Sequence, residues 1–96
     1  MTEYTSRDVG RAIRELVADR LGGARRPDLL TDDLSLGPAG AGFDSVALVE
    51  VVLACEERFA VKIPPELFEA GVPTIGALAE AVERARQAGN AGSPSV

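Results

Sequence analysis

The sequence predicts an all-α fold: a four-helix bundle of three long helices and one short helix, with a long loop between the first two helices. Three observations predict it. Apolar residues recur at helical spacing in separate stretches of the chain. Glycine and proline are concentrated between those stretches, where they interrupt regular structure. The chain has 96 residues, 46% of them hydrophobic, so it can form one domain with a modest core and no deep substrate cavity.

The first long helix is predicted from about Ser6 to Leu21. Thr5, followed by Asp8 at the third residue after it, resembles a capping box at the start of this helix. The Gly22-Gly23 pair ends the helix. The helical spacing is carried by Val9, Ile13, Leu16, Val17 and Leu21.

The long loop covers residues 22–43. It contains Pro27, Pro38 and five glycines, so no long regular element is expected in it. A loop of this length is unusual in a compact domain and is often functional. We expect a short turn around Thr31 to Leu34, and we expect the apolar side chains of the loop to pin it across the helices. These side chains are Leu29, Leu30, Leu34, Leu36 and Phe43.

The second long helix is predicted from Asp44 to Phe59. Its centre, from Val46 to Cys55, is rich in β-branched residues and could be a strand. Its length and its apolar pattern favour a helix. Either Asp44 or Ser45 is suited to cap the start. The inward stripe consists of Leu48, Val52, Cys55 and Phe59.

The remaining elements follow a proline break at Ile63-Pro64-Pro65. Residues 66–70 are sufficient for one short helix, which Gly71 closes, and Thr74 is predicted to cap the last long helix. The folded domain is predicted over residues 1–87, followed by a disordered tail over residues 88–96, where glycine, asparagine, serine, proline and alanine dominate. The inner face of the last helix is predicted to hold Ile75, Leu78, Ala79, Val82 and Ala85.

Composition excludes several classes of function. A formal net charge of −5 argues against nucleic acid and against anionic membranes, and it favours partners with basic docking patches. The chain has no histidine, which removes the usual catalytic triads and most zinc sites. The single cysteine, Cys55, excludes an internal disulfide and is predicted to be a small buried hydrophobe. We expect no metal site, no signal peptide, no membrane span, a monomeric state and a cytoplasmic location.

Ser45 is the residue to which the sequence draws attention. It lies where the long loop becomes the second helix, directly after Asp44. A hydroxyl at a helix N-terminus lies beside unpaired backbone N–H groups that tolerate a phosphate, so the position suits attachment of a phosphodiester. No histidine or lysine is near in sequence to take the proton, so Ser45 is a poor self-activating nucleophile. The alternative is that the Asp-Ser pair only caps the helix.

A mixed face of the second helix starts next to Ser45. At about 100° per residue, two apolar and two acidic residues share this face, as a docking strip for a basic partner would require. The alternative is a solvated face with two stray hydrophobes. The docking strip consists of Val46, Glu50, Leu53 and Glu57.

Five segments taken together resemble a known family. They are Asp44-Ser45-Val46, Leu48-Val49-Glu50, Glu56-Glu57-Arg58-Phe59, Ile63-Pro64 and Thr74-Ile75-Gly76-Ala77-Leu78. They are similar to the acyl carrier protein family, including its Asp-Ser-Leu attachment motif, and the resemblance covers about residues 6–86. It implies an acyl-carrier-protein-like bundle.

The resemblance also implies a cofactor and roles for named residues. Ser45 would be esterified with 4′-phosphopantetheine from coenzyme A by a magnesium-dependent phosphopantetheinyl transferase, and Asp44 would help to position that enzyme. The cargo would be carried as a thioester on the thiol of the arm. The docking strip would face partner enzymes, and the short helix near Glu66 to Glu69 would help to gate a cargo pocket between the second helix and this short helix.

Some residues depart from the family's pattern. Ala47 stands where an acid is common, Arg58 replaces another acid, and the Leu36 to Gly42 stretch is longer and richer in glycine than usual. These departures favour a discrete, non-catalytic carrier in a specialised pathway, such as polyketide or nonribosomal peptide assembly. Its partners would then include an acyl- or aminoacyl-loading enzyme and synthase, transferase or tailoring enzymes.

Three other functions compete with the specialised carrier. One is a carrier in fatty-acid synthesis. Another is a helical adaptor that binds a partner through Val46 and Leu53 without any prosthetic group. A hydrolase with Ser45 as nucleophile is disfavoured, because the sequence supplies no base, no oxyanion arrangement and no cavity.

Overall fold

The computed structural model describes residues 6–22 and 26–92, with side chains described between residues 7 and 88 of those ranges. The elements in chain order are α1 (Ser6–Arg20), a first 3₁₀ turn (Pro27–Leu29), α2 (Ser45–Phe59), a second 3₁₀ turn (Pro65–Phe68) and α3 (Ile75–Gly92). The three α-helices pack on one another around a single core. The predicted all-α class and the helical state of α2 are therefore confirmed.

The short helix predicted at residues 66–70 is instead the second 3₁₀ turn. Its hydrogen bonds join residues three apart: Leu67 N–H donates to Pro64 O at 3.1 Å, and Glu69 N–H donates to Glu66 O at 3.1 Å. Pro64 and Pro65 supply no N–H donor, and the segment is too short to form the hydrogen bonds between residues four apart that define an α-helix. The structure thus contains three α-helices and two 3₁₀ turns in its described residues.

The buried face of α1 follows the predicted spacing. Val9, Ile13 and Val17 are fully buried, while Leu16 and Leu21 are partly buried and pack against the core. Gly22 has a φ of +68°, the left-handed conformation that ends a helix without a Cβ clash. Gly23 and the predicted capping box partner Thr5 lie outside the described residues.

The buried face of α2 differs from the predicted stripe by one position. Val52, Cys55 and Phe59 are buried as expected, but Val51 is fully buried and Leu48 is only partly buried. The helix ends at Ala60, the only described residue other than glycine with positive φ (56°). The buried face of α2 is rotated towards Val51, because α1 packs along that side of the helix.

A threonine cap starts α3, as predicted. Thr74 Oγ1 accepts the Ala77 N–H at 3.1 Å, which satisfies one of the free N–H groups of the first turn. The helix extends to Gly92, whereas the sequence placed the end of the domain at residue 87. Residues 93–96 lie outside the described residues, and the division into domain and tail stays a prediction. The inner face holds Ile75, Leu78 and Val82, all fully buried, with Ala79 and Ala85 partly buried.

The long loop is pinned across the helices, as the sequence predicted. Leu36 N–H donates to Pro73 O at 3.0 Å, and Phe43 N–H donates to Leu36 O at 3.1 Å. Leu30, Leu36 and Phe43 are buried, and Leu34 is partly buried. The exception is Leu29, whose side chain is 67% exposed and therefore does not pin the loop.

An arginine of α1 clamps the first half of the loop. Arg14 Nε donates to Leu30 O at 2.7 Å, and its guanidinium also pairs with the Asp32 carboxylate. The backbone of Asp32 in turn accepts the Gly76 N–H at 2.7 Å, at the start of α3. Through Arg14 and Asp32 the loop therefore joins α1 to α3.

No helix within residues 6–22 and 26–92 is long and apolar enough to cross a lipid bilayer.

The most buried and the most exposed leucines of the loop, Leu36 and Leu29, give a direct test of this anchoring. We expect Leu36→Ala to lower the free energy of unfolding by about 2–5 kcal/mol, because it removes buried methyl groups and leaves a cavity. The matched change Leu29→Ala removes an exposed side chain and should change the same quantity by no more than about 0.5 kcal/mol. Urea unfolding followed by circular dichroism measures both. Equal destabilisation by the two changes would contradict the proposed anchoring.

Candidate functional site

Ser45 is the first residue of α2, and its side chain is exposed. The turn that precedes it is held by Ser35 O, which accepts the Ala41 N–H at 2.7 Å, and by Gly37 O, which accepts the Gly42 N–H at 2.7 Å. A Cβ on Gly40 would lie 2.1 Å from Ser35 O, so only glycine fits this turn. The glycine-rich stretch thus folds tightly enough to place Ser45 at the protein surface.

Asp44, and not Ser45, caps α2. Asp44 has an extended backbone and its Oδ1 accepts the Ala47 N–H at 2.8 Å. The Ser45 hydroxyl makes no hydrogen bond to any described residue. The sequence left open which of the two residues was the cap, and the structure assigns that role to Asp44. The Ser45 hydroxyl is therefore available for chemistry.

The surroundings of the Ser45 hydroxyl suit a phosphate better than they suit catalysis. The first N–H groups of α2 point away from the helix body and carry the positive end of its dipole, which stabilises an anion. No basic side chain among the described residues contacts the hydroxyl, and the whole sequence has no histidine. The residues at the start of α2 therefore fit a phosphodiester.

Three members of the docking strip are exposed without an internal partner. Val46 is 67% exposed, Leu53 is 53% exposed, and Glu57 makes no ion pair with any described residue. Glu50 differs, because its Oε1 lies 2.7 Å from the Arg20 guanidinium of α1. The structure therefore brings the four residues to one face, but part of the negative charge on that face is neutralised within the protein.

Val49 is a member of this surface that the sequence analysis did not include. Its side chain is 54% exposed. It lies between Val46 and Leu53 on the helix surface, at the third residue after one and the fourth before the other, which are the spacings of helical neighbours. The sequence shows this spacing but does not show that Val49 is exposed. The docking strip was chosen from residues that alternate between apolar and acidic, and Val49 falls outside that alternation.

The cargo pocket that the resemblance implies stays a prediction. Near the second 3₁₀ turn, an open groove of about 720 Å³ lies between that turn and α3. Its apolar lining includes Pro64, Leu67 and Ala81. A gating role for residues 66–69 stays a prediction. No cluster of metal-binding side chains occurs within the ranges that the structure describes.

Cys55 is fully buried on the inner face of α2, as predicted. Burial, together with the negative charge of Glu56, raises the pKa of its thiol to about 12. Since thiolates are the nucleophilic form, Cys55 is inert at neutral pH.

A thiol reagent such as an aromatic disulfide tests this directly. In the folded protein at pH 8 we expect no labelling of Cys55, and in denaturant we expect one thiol per chain. Because folding raises the pKa of this thiol, its ionisation favours the unfolded state. The contribution of Cys55 to the free energy of unfolding is therefore fully present below pH 9, the ordinary pKa, and is lost as the pH rises towards 12. Fast labelling of the folded protein at pH 8 would show that the thiol is accessible.

Comparison with known proteins agrees with this geometry. A family model described as "phosphopantetheine attachment site" matches residues 11–82, which is most of the chain. No curated protein matches the chain. Domains of the matched family attach a 4′-phosphopantetheine prosthetic group and work with a phosphopantetheinyl transferase and synthase enzymes. The chain therefore belongs to the phosphopantetheine attachment site family and is a phosphopantetheine carrier protein.

Proposed function

We propose that this protein carries a biosynthetic intermediate as a thioester on a 4′-phosphopantetheine arm attached to Ser45. The observation that supports the site is the division of roles at the start of α2. Asp44 caps the helix, so the Ser45 hydroxyl is exposed and makes no hydrogen bond to a described residue. The protein itself is not a catalyst; its partners perform the chemistry.

Attachment forms one bond and breaks another. Ser45 Oγ forms a phosphoester bond with the pantetheine-side phosphorus of coenzyme A, and the pyrophosphate P–O bond breaks. The hydroxyl proton passes to a base on the transferase, and adenosine 3′,5′-bisphosphate leaves. The N–H groups at the start of α2 stabilise the charge of the resulting phosphodiester. When bound, the arm supplies a thiol that holds the cargo.

Partner enzymes are proposed to dock on the strip formed by Val46, Glu50, Leu53 and Glu57, with Asp44 helping to position the transferase. Exposed apolar side chains beside the attachment site give a partner surface area to bury. Val49 enlarges the apolar part of this surface. The acidic part is reduced, because Arg20 pairs with Glu50.

A specialised pathway, such as polyketide or nonribosomal peptide assembly, is the proposed setting. The support is the moderate acidity of α2: Ala47 adds no charge, Arg58 is exposed near the end of the helix, and Glu50 is paired. The partners would be an acyl- or aminoacyl-loading enzyme and synthase, transferase or tailoring enzymes. A monomeric protein in the reducing cytoplasm is proposed, which its lone buried thiol suits. A fatty-acid carrier is the alternative within the same class.

Mass spectrometry tests the attachment site. After incubation with coenzyme A, magnesium and a broad-specificity phosphopantetheinyl transferase, the wild type should gain the mass of one phosphopantetheine. Ser45→Ala should gain none and should remain folded, because Asp44 provides the cap. Ser35→Ala is the control: that hydroxyl accepts the Gly37 N–H at 3.1 Å, and its loss should not prevent loading. Loading of Ser45→Ala would disprove the site.

The kinetics of the same reaction test the docking strip. Leu53→Glu should raise KM for the transferase about tenfold while kcat is kept, because a buried apolar contact at the interface centre is lost. The control, Val72→Glu, adds the same charge at a valine that is 48% exposed outside α2, and it should leave KM near the wild-type value. An unchanged KM for Leu53→Glu would contradict docking through this strip.

The sequence also left open an adaptor without a prosthetic group, but the family match favours the carrier over it, because domains of that family attach 4′-phosphopantetheine.

A further inference from the structure

Basic residues are unevenly distributed in this acidic protein. The chain has ten lysines and arginines and a formal net charge of −5. Most of the basic residues that lie in or next to α1 play no part in the attachment site or the docking strip. The basic residues between positions 7 and 26 are Arg7, Arg11, Arg14, Arg20, Arg25 and Arg26.

Three of these arginines share one face of α1. Arg7, Arg11 and Arg14 are spaced by four and three residues, so they lie side by side along the helix. Arg14 is committed to the Leu30 carbonyl and to Asp32. Arg7 and Arg11 are exposed and make no ion pair or hydrogen bond with any described residue. Two free guanidinium groups therefore stand about one helical turn apart.

These guanidinium groups line an open groove of about 780 Å³ between α1 and the segment from Pro27 to Asp32. Pro27, which is half-buried, contributes apolar surface to its lining. Leu29 belongs to the segment that borders the groove, and its side chain is 67% exposed. Free cations thus line the groove, and the bordering segment carries an exposed apolar side chain; both features are enriched at protein interfaces.

Most of the negative charge around this groove is already paired. The Asp32 carboxylate is held by Arg14, and Asp28 Oδ1 lies 3.3 Å from Arg26 Nε. Glu15 remains as an unpaired acid, at the end of the groove away from Arg7. An anionic partner is therefore attracted most strongly towards Arg7 and Arg11.

We propose that this groove is a second docking surface, which binds an acidic segment of a partner protein. Two carboxylates one helical turn apart would pair with Arg7 and Arg11, and an apolar side chain of the same segment would cover the exposed Leu29. No residue of α2 lines the groove, so a partner held here leaves Ser45 and the docking strip free for an enzyme. The proposal thus goes beyond attachment at Ser45 and does not depend on it.

A labelled peptide tests this surface on the full chain. The probe is a capped helical peptide with glutamates one turn apart around a leucine, compared with the same peptide carrying lysine in place of glutamate. Fluorescence anisotropy gives Kd for the wild type, for Arg7→Gln with Arg11→Gln, and for Leu29→Ser. The control is Lys62→Gln with Arg84→Gln, which removes the same charge from two exposed side chains elsewhere.

We expect the glutamate peptide, and not the lysine peptide, to bind the wild type and the control alike. The paired arginine change should raise Kd about tenfold or more, and Leu29→Ser should also raise it, because interface arginines and central apolar contacts dominate binding energy. No binding of the glutamate peptide, or an equal loss in the control, would overturn the proposal. Displacement by inorganic phosphate with no effect of Leu29→Ser would also overturn it and indicate a small-anion site.

Loading by the transferase is measured on the same preparations. The wild type and the paired arginine variant should be loaded at equal rates. A loaded wild type that does not bind the glutamate peptide would therefore reject this surface and leave the carrier function intact.

Discussion

The way in which the long loop is held against the helices determines the position of Ser45. Leu36 is fully buried, and its backbone is bonded on one side to Pro73 and on the other to Phe43. Since Leu36 and Phe43 are joined by their own hydrogen bond, the residues between them must close into a tight turn. Gly40 makes that turn possible, because a side chain there would collide with the Ser35 carbonyl. The chain therefore enters α2 from a fixed point, and Ser45 follows directly from it.

At the start of α2, one residue caps the helix and the next presents an exposed hydroxyl. A helix needs an acceptor for its first free N–H groups, and a modified serine needs a free hydroxyl. Asp44 supplies the acceptor, which leaves the Ser45 hydroxyl without a role in capping the helix. Further along, α2 packs Val51 and Cys55 inward while Val49 and Leu53 remain exposed. A single helix thus contributes to the core, to the proposed attachment site and to the proposed docking surface.

Charge is divided between the elements of the protein. The exposed arginines of α1 face the first half of the long loop, whereas Glu57, an acid of α2 that makes no ion pair with a described residue, lies on the docking strip. The ion pair between Arg20 of α1 and Glu50 of α2 joins the two helices and reduces the difference in charge between them where they meet. A protein with two surfaces of opposite character can attract two kinds of partner at once, because exposed charges separated by more than about 10 Å are largely screened from each other.

The sequence by itself determined the features that depend on neighbouring residues. Helical spacing located the three α-helices, Thr74 was recognisable as a cap, Cys55 fell on the inward stripe, and the Asp44-Ser45 pair marked the candidate site. These properties are local, since spacing and capping act within one or two turns. The short helix predicted at residues 66–70 forms as the 3₁₀ turn Pro65–Phe68, because Pro64 and Pro65 supply no N–H donors to so short a segment.

Only the tertiary structure decided which of several equivalent residues made each long-range contact. Leu29 and Leu36 look alike in the sequence, but only Leu36 meets Pro73 and is buried. Glu50 and Glu57 both belonged to the predicted strip, but only Glu50 lies beside Arg20. Likewise, Arg14 pairs across the loop while Arg11, on the same helix face, stays free. Such contacts join residues far apart in the chain, so their geometry is set by how the helices pack and not by the local pattern.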